Sequence, residues 1–221
     1  MKPLYKYAGI AGIITGLALL VEFALFMASG VTPDKLANPA EAIALIQQKE
    51  VLLRVATFFG FAGSITSLIY IAGLAAKLRE QTPTRAAAVL YFGILGGLGH
   101  MLVALSFYLG FPALTNLAAD NLSAAVNSWG AFLALTNGFQ GVGNILLGLT
   151  FLAAGSAILA RGAFAKRLGW IGLIAGITAV SGVITTATML SGVSFAVYIP
   201  SIILAVAFNI WAGARMAAFE Q

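Results

Sequence analysis

Two stretches decide the fold: KYAGIAGIITG at residues 6–16 and KRLGWIGLIAG at residues 166–176. Each opens on lysine and then spaces its glycines three and four apart, at Gly9, Gly12 and Gly16 and at Gly169, Gly172 and Gly176. Neighbouring residues of a helix are turned by about 100°, so these positions share one narrow stripe. A stripe without side chains lets two helix backbones come close, and in lipid such contacts replace the hydrophobic drive of water. The pattern predicts membrane helices packed through glycine.

The rest of the chain agrees. Of its 221 residues 61% are hydrophobic and 9% are charged, where a soluble domain carries about 25% charged residues. Six apolar runs are long enough to cross a bilayer: 7–28, 51–76, 86–108, 131–160, 168–190 and 195–216. A helix needs about 20 such residues to span the hydrocarbon. The runs are continuous rather than alternating, which argues against a strand barrel. The first is read as a retained helix, because its apolar stretch exceeds the roughly 7–15 residues of a signal-peptide core. The expected fold is all-α: a polytopic membrane protein, one domain over 1–221, with six transmembrane helices.

Charge sets the expected orientation. Lys2, Lys6, Lys77, Arg79, Arg85, Arg161, Lys166, Arg167 and Arg215 fall on one side of such a layout; Lys35, Lys49 and Arg54 fall on the other. By the positive-inside rule the crowded side is cytoplasmic, and both termini with it. The net charge of +5 is spread over these short clusters, not gathered on a nucleic-acid-binding face.

The third run repeats the stripe in part. Gly93 and Gly96 match, and His100 stands where the third glycine would be. GFAG at 60–63 echoes GFQG at 138–141, and IYIAG at 69–73 echoes IWAG at 210–213. Three tandem helical hairpins in one orientation would produce these echoes. So would coincidence, since glycine is 25 of 221 residues. On either reading Gly9, Gly12, Gly16, Gly93, Gly96, Gly169, Gly172 and Gly176 are helix-packing positions.

The two longer outer connections have segments of their own. In NPAEAIALIQQKE (38–50), Asn38 suits a helix cap, Pro39 the first helical position and Glu41 the acid of a capping box. Ile43 and Ile46 are expected on the membrane surface. FPALTNLAADNLSAAVNSW (111–129) reads as a second surface segment ending at an interfacial Trp129. Both are expected to cap the outer face of the bundle.

The chain resembles a bacterial family of six-span integral membrane proteins known only as a domain of unknown function. The similar parts are AGIAGIITGLALL (8–20), NPAEAIALIQ leading into LLRVATFFGFAG (38–63), LREQTPTRAAAVLYFG (78–93), TNGFQGVGNILLG (136–148) and RLGWIGLIAG (167–176). The resemblance implies six helices in the bacterial cytoplasmic membrane. It implies no activity and no catalytic residue.

Chemistry must then come from polar residues at membrane depth, which are expensive and default to functional candidates. Glu22, Arg54, His100, Asn137, Gln140 and Asn144 are the candidates for a polar pocket in the outer half of the bundle. A carboxyl group at that depth must be neutralised by a proton or a partner, so Glu22 is expected to contact Arg54, His100, Asn137 or Gln140, directly or through one water. Asn209 and Pro200 read as packing and kink features. Without cysteine there is no disulfide, thiolate metal site or thiol nucleophile. One histidine cannot form a bis-histidine haem site within the chain, though a single ligand at His100 stays open. No HExxH and no phosphate-binding loop is present, and no serine stands in a nucleophile motif. No enzyme, cofactor or metal site is expected. Two functional classes fit: a small transporter or ligand-binding bundle, or an accessory subunit of a larger membrane complex that holds pigment or lipid. The expected partners are membrane lipids, a second copy or other membrane subunits.

Overall fold

The computed structural model describes residues 2–161, 163–187 and 191–218, without the side chains of Lys2, Pro3, Pro33 and residues 185–198. Every described element is a helix: α1 (Lys2–Ser29), α2 (Pro33–Ala37), α3 (Pro39–Arg79), α4 (Pro83–Asp120), α5 (Leu122–Arg161), α6 (Lys166–Ala187) and α7 (Ser191–Ala217). All but α2 are long and apolar enough to cross a membrane. The expected end of the fifth span at Leu190 lies outside the described residues.

The turns between helices are short because the chain caps itself. Gly30 takes a positive φ of 76° and turns α1 toward α2. Asn38 then closes α2 and opens α3: its Oδ1 accepts from the Ala40 N–H at 3.2 Å, and its Nδ2 donates to Glu41 Oε1 at 2.8 Å. Thr82 and Pro83 reverse the chain into α4, with the Thr82 N–H donating to the Leu78 carbonyl at 2.9 Å. Asn121 alone joins α4 to α5 and caps the latter through the Ala124 N–H at 3.0 Å.

Length divides the bundle into two parts. α3, α4 and α5 run for 41, 38 and 40 residues. At 1.5 Å per residue each is about 60 Å long, twice the ~30 Å of bilayer hydrocarbon. α1, α6 and α7 are shorter, at 28, 22 and 27 residues. The long helices therefore outrun the short ones and, with α2, build a head opposite the end that carries the termini. Inside α3 the helical path breaks at Lys49 (φ −117°, ψ 17°), where the head segment meets the span.

This corrects the reading of the two connections as surface segments. Both are continuous with membrane helices. Ile43 and Ile46 are buried in a core of the head with Leu53, Phe111, Leu114 and Trp129. Trp129 is not interfacial: it is 1% exposed and donates its indole N–H to the Leu36 carbonyl at 2.9 Å.

Within the membrane part, each spanning helix packs on the next in chain order, and α7 returns to α1 to close a ring; α3 also touches α5 across it. All eight stripe glycines lie against another helix of the chain. A Cβ at Gly9 would meet the Gly213 carbonyl of α7 at 2.5 Å, and one at Gly16 the Val206 carbonyl at 3.2 Å. A Cβ at Gly172 would come within 3.1 Å of Gly155 Cα on α5, and one at Gly176 within 2.6 Å of the Gly148 carbonyl. On α4, Gly93 faces Ile71 of α3 while Gly96 faces the Leu147 backbone of α5. Large side chains point away: Ile10, Ile14 and Leu17 of α1 are all exposed. On α1, small residues on the packed stripe and large ones on the outer face are the arrangement that close packing in lipid requires.

Candidate functional site

The ring leaves a cavity of about 100 Å³ on its axis, walled by α1, α3, α4, α5 and α7. Glycine creates much of the space. Gly60 on α3 stands opposite Glu22 on α1, and a Cβ there would collide with the Glu22 carboxyl group. Gly12 does the same for Tyr70, whose ring lies 2.6 Å from the place of a Gly12 Cβ. Two large polar side chains are thus accommodated in a bundle whose backbones are otherwise in contact.

Three polar groups on this wall have no protein partner among the described residues. The Tyr70 hydroxyl belongs to a residue 2% exposed and makes no hydrogen bond. The Glu22 carboxyl group has neither hydrogen bond nor ion pair, and the buried Asn209 amide has no hydrogen bond. An unpaired buried polar group costs about 1–3 kcal/mol, so such groups cluster where something other than protein satisfies them. His100 completes the set. It lines the same cavity, and its Nε2 pairs with Asn144 Oδ1 of α5 at 2.7 Å. Gly143 makes that contact possible, since a Cβ at this position would stand 3.0 Å from His100 Cδ2.

The other wall hydroxyls are engaged within the protein. Ser64 donates to the Gly60 carbonyl at 2.8 Å and Ser67 to the Ser64 carbonyl at 2.7 Å. Thr150 donates to the Leu146 carbonyl at 2.8 Å, and Thr15 lies 2.8 Å from the Ala11 carbonyl and 2.9 Å from Thr66 Oγ1 of α3. Leu19, Ile71, Leu147, Phe151 and Phe208 make the remainder apolar.

Of the six candidates from the sequence, the structure brings Glu22 and His100 to the cavity and ties Asn144 to it through His100. Arg54 goes elsewhere. Its guanidinium lies 3.8 Å from Glu50 and 5.3 Å from the centre of the Tyr108 ring, on an exposed face of α3. Six residues separate Arg54 from Gly60, which is roughly 240° around the helix and about 9 Å along it. Asn137 is exposed and Gln140 is half-buried, and neither is on the cavity wall. Among the described residues no hydrogen bond or ion pair joins Glu22 to any of the four expected partners. Sequence reasoning missed Tyr70 and took Asn209 for packing. The signal for Asn209 was the same as for Glu22, an amide inside an apolar helix. Tyr70 carried none, because aromatic residues are common in such helices.

A closed ring of membrane-spanning helices around a partly polar cavity defines an integral membrane protein of the helical-bundle class. The chain belongs to the family described as domain of unknown function (DUF4386), which it matches over residues 14–212. No curated protein and no solved structure shows significant similarity to it.

Proposed function

We propose that the protein binds a small polar solute in the axial cavity and serves as a small transporter of the bacterial cytoplasmic membrane. The observation that carries this reading is the convergence of Glu22, Tyr70 and Asn209, all without protein partners, on one space inside the ring. Burying even the Tyr70 hydroxyl with nothing to satisfy it costs about 1–3 kcal/mol, and the partly buried Glu22 carboxyl and the Asn209 amide lack protein partners beside it. A solute or water relieves that penalty. The use of all stripe glycines inside the chain also favours a self-contained bundle over an accessory subunit, whose stripes would be left for partners. By the positive-inside rule the basic clusters favour a cytoplasmic terminal end and an outer head.

The natural absence of cysteine supplies a direct test. Ser67→Cys puts a thiol on the cavity wall, and Ile65→Cys puts one on the exposed face of the same helix. In intact membranes, 2-aminoethyl methanethiosulfonate is expected to modify the first and spare the second, which lipid covers. No modification at position 67 would mean that water and solutes do not reach the cavity, and the proposal would fail.

A further inference from the structure

The hydrogen-bonding sense of the wall narrows the chemistry of the solute. This step rests on the cavity being a solute site. Ser64, Ser67 and Thr150 each spend their one hydroxyl proton on a carbonyl three or four residues back. What they can offer the cavity is lone pairs. Glu22 adds a carboxyl group with no cation beside it, and Asn209 adds an unpaired amide oxygen. On the donor side, His100 has committed Nε2 to Asn144, which leaves the Tyr70 hydroxyl and the Asn209 amide N–H groups as the neutral donors on the wall. No lysine or arginine is on the wall. The titratable groups facing Glu22 are Tyr70 from α3 and His100 from α4; α5 and α7 contribute none. The space is rich in acceptors and contains one uncompensated acid.

We propose that the occupant is a small organic ammonium ion, and that it exchanges one for one with a proton on the Glu22 carboxyl group. A carboxylate in apolar surroundings has to be neutralised by a proton or by a cation. With the cavity free of cations, the carboxyl oxygen holds a proton. When R–NH3⁺ enters, the carboxyl O–H bond breaks, the proton passes to water, and the carboxylate pairs with the ammonium group. Atoms and charge balance, nothing is oxidised or reduced, and the net charge of the cavity is unchanged. The ammonium N–H groups find the hydroxyl and amide lone pairs. The carbon end finds Leu19, Ile71, Phe151 and Phe208, and aromatic rings also attract cations directly. Such a wall disfavours a metal cation, which would give up its hydration shell for too few oxygens. Size agrees: cavities near 150 Å³ hold a benzene molecule, so about 100 Å³ suits an amine of a few heavy atoms.

The test uses the full chain in detergent in a lightly buffered solution with a pH indicator. Ethylammonium chloride is added across a range of pH, against sodium chloride at equal ionic strength and against 1-propanol, a neutral molecule of similar size. Ethylammonium is expected to release protons saturably, approaching one per chain, and to raise the melting temperature; the two controls do neither. Glu22→Gln, which keeps the shape of the side chain, is expected to abolish the release and weaken ethylammonium binding at least tenfold. The wild-type measurement stands even if that variant does not fold: binding without proton release at every pH overturns the exchange. Equal stabilisation by 1-propanol or sodium overturns the ammonium assignment while leaving a solute site in place. No binding by any probe, together with an unreactive cysteine at position 67, removes the solute site as well.

Discussion

The carboxyl group of Glu22 on α1 occupies the volume that a side chain at Gly60 on α3 would need. The glycine and the acid are therefore a matched pair across the α1–α3 contact. Gly60→Ala is expected to destabilise the protein by about 1–3 kcal/mol, the usual range for forcing extra carbon into a packed site. Shortening the opposing residue in the double variant Gly60→Ala/Glu22→Ala frees that volume, so much of the loss is expected to return. Thermal unfolding in detergent of both singles and the double measures the coupling. Strict additivity would show that the two positions do not compete for space.

The stripe glycines are expected to be intolerant of size. Gly12→Leu drives a side chain into the Tyr70 ring, and Gly172→Leu drives one into α5 and Phe208. Each is expected to abolish folding or to lower stability by more than the ~1–3 kcal/mol of ordinary overpacking, because an aromatic ring stands in the way with the neighbouring backbone close behind it. Yield of monodisperse protein and melting temperature are the readouts. Wild-type behaviour in both would contradict the internal packing of the stripes.

His100 and Asn144 tie α4 to α5 through a 2.7 Å contact. His100→Leu leaves the Asn144 amide without that partner and is expected to cost about 1–3 kcal/mol. Replacing both, as His100→Leu/Asn144→Leu, removes the polar groups together and is expected to be closer to neutral than either single change. A double variant as unstable as the sum of the singles would mean the pair contributes by shape alone.

The head is expected on the outer face of the membrane. A reporter fused after Gln221 should signal cytoplasm, and one inserted beside Asp120, at the α4–α5 turn, should signal the outside. Exchanged signals would invert the orientation drawn from the basic clusters.

Much of the architecture was legible in the sequence because membrane helices solve a local problem. Lipid leaves backbone groups no partner but their own helix, so length and hydropathy alone mark the spans. The cap at Asn38 was legible for the same reason, being made by residues within one turn of each other. The head was not. NPAEAIALIQQKE is amphipathic whether its apolar face meets lipid or Phe111 and Trp129, and only the long-range packing of α3 on α4 and α5 decides which.

The site divides in the same way. The sequence by itself determined that Glu22 and His100 lie inside apolar helices, since a polar residue there stands out against its neighbours. Which residues they meet depends on how each helix is rotated and which helix sits beside it. Only the tertiary structure decided that Arg54 turns to Glu50 and Tyr108 while Tyr70 and Asn209 turn to the cavity. The physical reason lies in the near-uniform greasiness of these helices. In a water-soluble protein an apolar stripe tells a helix which way to face, but here almost every face is apolar. Rotation is set instead by the fit of glycine backbones against one another, as at Gly9 on Gly213 and Gly172 on Gly155, and that fit exists only once the ring has closed.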